Sequence, residues 1–161
     1  MEGSLQPPVP VGDGLGIRGR IDRVDTWNGY FLVRDYKGGS RVLPAARWEK
    51  ERRLQVALYM LAVRELLQLE PAGGVYVPLA GSDRRSRGLL LDELEDELGG
   101  GVVPGDRASR EEIDQHLERA RERALELAGR LRSGEVRPCP ATCSWRAAGG
   151  CTYPSICRVE R

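Results

Sequence analysis

The dipeptide Asn28-Gly29 lies between two β-rich runs in residues 17–37, IRGRIDRVDTWNGYFLVRDYK. A two-residue hairpin turn needs positive φ at both central positions, which Asn and Gly tolerate best, so this is the strongest short-range hairpin signal a chain can carry. The turn fixes a register in which partner numbers sum to 57: Trp27 faces Tyr30, Val24 faces Val33 and Asp22 faces Asp35. Two carboxylates placed directly opposite each other repel unless a cation sits between them, and a divalent metal is the obvious candidate. Alternation along the second strand brings Lys37 to the same face as Asp35. Three ionisable groups therefore converge on one patch.

A chain of 161 residues is long enough for one domain with a real core. With a net charge of +1, no global field announces a nucleic-acid partner, and any such footprint must come from local clustering of basic residues. The single histidine, His116, rules out a two-histidine zinc finger, an H-E-x-x-H protease and a histidine-metal nuclease. There is no G-x-x-x-x-G-K-[ST] phosphate loop, so the chain carries no ATP motor of its own. No apolar run approaches the roughly 20 residues needed to cross a bilayer, and no charged-then-apolar signal opens the sequence. The expectation is a soluble, cytoplasmic protein without a membrane partner.

Residues 1–16 are rich in proline and glycine and read as a linker or cloning remnant leading into an edge strand. Gly14-x-Gly16-x-x-Gly19 matches a dinucleotide fingerprint formally, but it precedes a strand instead of joining a strand to a helix, so a glycine-rich turn is expected. A helical region is expected over 44–69, with Gln55 and Tyr59 one turn apart on one face. Residues 75–80, VYVPLA, read as a buried strand, with 87–91 as its partner. The stretch 92–108 is acidic, then glycine-rich, and uninformative. Ser109 and Glu112 form a capping box for a helix whose apolar stripe is Ile113, Leu117, Ala120, Ala124, Leu127 and Leu131, with Gly134 as the stop and His116 on the solvent side. All four cysteines, Cys139, Cys143, Cys151 and Cys157, fall in the tail with spacing C-x3-C-x7-C-x5-C, which suggests one shared ligand set.

The series GRIDRVD, VRDYKGG, QVALY on a helix, VYVPL and finally CTYPSIC resembles, in order and content, the RecB/AddB-type branch of the PD-(D/E)XK nucleases over residues 17–158. The resemblance implies an α/β fold: a restriction-endonuclease-like core over 17–137, with a central mixed sheet flanked by helices near 45–69 and 109–133, and a cysteine-stapled tail over 138–161. It implies a DNA nuclease dependent on Mg²⁺ or Mn²⁺, acting on single-stranded or unwinding ends in double-strand-break processing beside a helicase domain or subunit. Asp22, Asp35 and the Tyr36 carbonyl would hold the metal, and Lys37 would orient the attacking water. Gln55 and Tyr59 match the family's Q-x-x-x-Y motif beside the active site. The cysteines would bind a [4Fe–4S] cluster, with structural Zn²⁺ or unmetallated or disulfide-bonded thiols as the alternatives.

The sequence departs from the family in placing all four cysteines C-terminally, in lacking a C-x2-C pair, and in showing no metal-ligating helix before residue 17. The alternative function is a nuclease-fold module that binds DNA or a helicase without cutting. A small metal-stapled interaction domain would leave the carboxylate hairpin unexplained. Arg18, Arg20, Arg23, Arg47, Lys50, Arg52 and Arg53 fall on or beside the expected site, as phosphate contacts or as solvated surface. Trp27 and Tyr30 at the hairpin tip offer base stacking or ordinary cross-strand packing.

Overall fold

The computed structural model describes residues 3–39, 42–94, 97 and 103–135. Asn28 and Gly29 adopt φ of 45° and 83°, as the hairpin requires. Strand β3 (Arg23–Trp27) pairs antiparallel with β4 (Tyr30–Lys37), Trp27 opposite Tyr30 and Val24 opposite Val33. The ladder ends at Arg23 opposite Arg34, one residue short of the expected Asp22–Asp35 pair. Asp22 instead occupies a bend, because the preceding residues turn away to a different partner.

That partner comes from the stretch expected to be a linker. β1 (Gly3–Gly12) pairs antiparallel with β2 (Leu15–Ile21) in a separate two-stranded sheet. Leu5, Val9 and Val11 are buried, which is the gain that makes a strand of a proline-rich segment. Pro7, Pro8 and Pro10 lack a donor N–H, and the register slips between Leu5 and Val9 and again between Pro10 and Gly12. Asp13 and Gly14, at φ 46° and 68°, make a second two-residue turn. The glycine series at 14–19 is accordingly turn and strand, as expected.

The main sheet has the order β3-β4-β5-β6-β7, with β5 (Glu70–Pro78), β6 (Arg87–Leu91) and β7 (Arg107–Ala108). It is mixed: β4 and β5 are parallel, β5 and β6 antiparallel, β6 and β7 parallel. The parallel β4–β5 step needs a crossover, which α1 (Gln55–Leu67) supplies. This helix is shorter than the expected 44–69. Residues 45–47 form a 3-10 turn, Trp48 buries its ring and donates to the Leu43 carbonyl at 3.1 Å, and Arg52 takes a left-handed φ of 55°. The charged segment RWEKERR has no apolar stripe to hold it as helix. At the other end Gln68, at φ 54°, closes α1 with its N–H on the Arg64 carbonyl at 2.9 Å.

Phe31, Val33, Val56, Met60, Leu89, Leu91, Ile113 and Leu117 belong to one core cluster, while Leu32, Val75 and Leu90 make a smaller one. Close approach of α1 to β5 depends on Gly74, where a Cβ would fall 2.4 Å from Val56 and 2.6 Å from Met60. α2 (Arg110–Arg132) opens with the expected capping box: Ser109 N–H donates to Glu112 at 2.7 Å, and Glu112 N–H donates to Ser109 Oγ at 3.2 Å. Ser109→Ala is expected to cost about 1 kcal/mol, read as a lower urea midpoint at unchanged slope. Ile113, Leu117 and Ala120 are buried, but His116 is half-buried instead of solvent-facing.

Two compact units divide the chain, Met1–Glu126 and Leu127–Arg161. Within the second, the described residues are the last turns of α2 and a stop at Gly134, φ 79°, where Leu131 is 65% exposed. Cys139, Cys143, Cys151 and Cys157, with the tail expected to staple the fold, lie outside the described residues. No helix among the described residues is long and apolar enough to cross a membrane.

Candidate active site

Side chains on β4 alternate, so Phe31 and Val33 enter the main core on the α1 side while Leu32 enters the smaller cluster. The same parity sends Asp35 and Lys37 to the α1 side, beyond the end of the apolar row. A crossover helix between parallel strands runs back along the sheet and delivers its first turn to the carboxyl end of the strand before it. Here that brings Gln55 to Lys37.

The contacts form a chain. Lys37 Nζ lies 2.5 Å from Asp35 Oδ2 and donates to Gln55 Oε1 at 2.8 Å. Gln55 Nε2 in turn donates to the Tyr59 hydroxyl at 3.4 Å. Tyr59 lies against β2, where its ring is 3.4 Å from the position a Cβ on Gly19 would take. Asp35, Lys37, Gln55 and Tyr59, all singled out from the sequence, are thus brought together.

Asp22 joins them by a different route from the one expected. Its Oδ2 accepts the backbone N–H of Tyr36 at 2.9 Å, between Asp35 and Lys37. A residue's N–H and C=O leave the same edge of a strand. The Tyr36 carbonyl is therefore on the Asp22 side.

Asp35 is 3% exposed. Burial holds its carboxyl above the ordinary range; the Lys37 ammonium offsets this in part, and the Asp22 charge adds to the rise. The folded state therefore holds this proton more tightly than the unfolded chain does. Stability from the group is present below the ordinary carboxylate range and lost as pH rises through the raised folded value. Asp35→Asn is expected to flatten that portion of the stability curve in chelator, measured by urea melts across the acidic range.

The donor set suits a hard divalent cation. Asp35 Oδ2 is buried without an aligned hydrogen-bond donor, although the Lys37 charge lies beside it, and Asp22 is exposed with one oxygen fixed. Among the described residues no three His, Cys, Asp or Glu form a cage. Mg²⁺ commonly uses one or two carboxylates and keeps its other positions for water and phosphate oxygens.

Sequence reasoning missed Tyr76 and Trp48. Tyr76 is the register partner of Asp35 on β5, 4% exposed, with the Lys37 Nζ 5.1 Å from its ring centre and the Trp48 ring edge-on at 5.7 Å. Burial, then the Asp35 charge, push its hydroxyl up to about 12. The only sequence signal was a hydroxyl-bearing ring within the apolar run VYVPLA.

All seven basic residues expected on or beside the site are exposed. Arg23 is engaged by Asp25 at 2.6 Å, and Arg47 by Glu51 at 2.5 Å. Trp27 and Tyr30 pack across the hairpin with ring centres 6.4 Å apart. Trp27 donates to Glu97 at 2.7 Å, and Arg110 donates to the Tyr30 hydroxyl at 3.2 Å.

The end of the hairpin strand on this mixed sheet thus brings together a buried aspartate, a lysine and an exposed aspartate. A profile of the PD-(D/E)XK nuclease superfamily matches residues 2–158, and the chain belongs to that superfamily. The chain is also 41% identical over 88 residues to an ATP-dependent helicase/deoxyribonuclease subunit of Symbiobacterium thermophilum, a match covering 45% of this chain and 8% of that protein. The chain thus spans only a small part of this relative's length. No solved structure matches the chain.

Proposed function

We propose that the chain is a Mg²⁺- or Mn²⁺-dependent deoxyribonuclease module of the RecB/AddB type, cutting single-stranded DNA in double-strand-break repair in the cytoplasm, with a helicase domain or subunit as partner. The observation that carries this reading is the chain of contacts Asp35–Lys37–Gln55–Tyr59 at the carboxyl end of β4. Superfamily membership and the name of the helicase/deoxyribonuclease relative support it.

Asp22, Asp35 and the Tyr36 carbonyl are the residues that would hold the ion. When bound, it supplies a more acidic water and offsets charge on the phosphate. Lys37 orients the nucleophile and opposes the negative charge that grows on the phosphoryl oxygens. Gln55 keeps the Lys37 ammonium at the strand end through its side-chain oxygen. Tyr59 fixes the Gln55 amide so that this oxygen faces Lys37.

Labelled single-stranded DNA incubated with the protein and Mg²⁺ or Mn²⁺ is expected to be cut, and chelator to stop the cutting. DNA retained but never cut with either ion would favour the non-cleaving module instead. For the tail, the reading places a [4Fe–4S] cluster on Cys139, Cys143, Cys151 and Cys157, since four thiols in so short a segment fit one ligand set. Anaerobically purified protein is then expected to be brown, and Cys157→Ser to bleach it. Colourless protein with one equivalent of zinc would make the site a zinc staple.

A further inference from the structure

We infer that Tyr76 is a positioning residue for this centre: its ring seats the Lys37 ammonium between Asp35 and Gln55. The inference rests on the nuclease reading for its catalytic consequence but not for its geometry. No sequence motif marked Tyr76, and the contacts do so from three directions.

Tyr76 stands beside Asp35 in the parallel ladder, on the strand that follows the crossover helix. Lys37 Nζ lies 5.1 Å from the ring centre, within the range at which a ring face attracts a cation. Trp48, packed edge-on at 5.7 Å, keeps the ring from rotating away. Gln55, in the first turn of α1, accepts from the same ammonium at 2.8 Å. The lysine is therefore held between the Tyr76 ring face and two side-chain oxygens, those of Asp35 and Gln55.

Two variants separate the ring from the hydroxyl. Tyr76→Leu removes both, whereas Tyr76→Phe keeps the ring. In Tyr76→Leu, kcat on single-stranded DNA is expected to fall between about tenfold and about a hundredfold at unchanged KM, the scale of a misplacement of up to an ångström, and Tyr76→Phe is expected to recover most of that loss. A merely structural loss would lower the melting temperature and the fraction active without that split.

One measurement needs no turnover. Lys37 side-chain methylene resonances should be ring-shifted in the wild type and in Tyr76→Phe, and lose the shift in Tyr76→Leu. Unshifted Lys37 resonances in the wild type, or wild-type kcat in Tyr76→Leu, would overturn the seat. A wild-type protein that never cuts, yet shows the ring shifts as expected, would sink the nuclease reading while leaving the positioning role in place.

Discussion

Asp35→Ala is expected to abolish divalent-dependent cleavage while leaving the protein folded. The side chain is 3% exposed, lies beside Lys37 and feels the Asp22 charge, so its removal takes away the most deeply held oxygen donors in the site. Without them a bound ion would have only Asp22 and a carbonyl as ligands, and Lys37 would lose its charge partner. Folding should suffer little, because the wild-type carboxylate is buried against its preference, as its raised pKa records. Lys37→Ala separates the roles: it should lose cleavage by a factor of about 10² or more, the cost of removing one transition-state donor, yet still take up the ion. Cleavage rates, Mn²⁺ titration calorimetry and thermal melts on the two variants decide the matter. Wild-type cutting by either one would overturn the catalytic assignment.

The hairpin was legible because everything that specifies it is local. Asn28 and Gly29 can take positive φ, the flanking residues alternate, and the register follows by counting. The same counting failed one residue beyond Arg23, since it assumed that the strand keeps one partner. Ile21 pairs with Gly3 in the other sheet, so the chain must bend at Asp22, and the bend sends its carboxylate to the Tyr36 N–H instead of across to Asp35. A proline-rich opening gives no sign of this, because the gain that makes it a strand is burial of Leu5, Val9 and Val11 against distant residues.

The start of α1 was obscured in the same manner. Charged residues 47–53 have respectable helix propensity, but burial of Trp48 and the left-handed Arg52 override it, and the helix begins at Gln55. That boundary matters for the site, since it makes Gln55 a first-turn residue facing the strand end. Tyr76 shows the limit most plainly. Its role depends on which face of β5 it occupies and on which residue of β4 lies beside it, and neither is encoded within VYVPLA itself.

The largest stability effect is expected from an ion pair with one member, Asp106, in the stretch that read as uninformative and the other, Arg87, on the strand before it. Asp106 is 1% exposed and receives both prongs of the Arg87 guanidinium, Nε at 2.6 Å and Nη2 at 3.2 Å. Arg87 begins β6 and Asp106 directly precedes β7, so the pair ties the start of β6 to the segment that returns to the sheet edge. Arg87→Met leaves a carboxylate inside the protein with no cation and should cost about 3–5 kcal/mol, a fall of roughly 10 °C in melting temperature for a chain of this size. Exposed ion pairs are worth at most about 1 kcal/mol, so the burial of Asp106 is what sets the larger figure. Adding Asp106→Leu to Arg87→Met should recover much of the loss, because the stranded charge is gone and an apolar side chain fills its place. A double variant no more stable than Arg87→Met alone would mean that the cost lies in lost packing of the arginine stem and not in the unpaired carboxylate. Urea denaturation of the two single variants and the double variant, at matched pH and salt, closes the cycle.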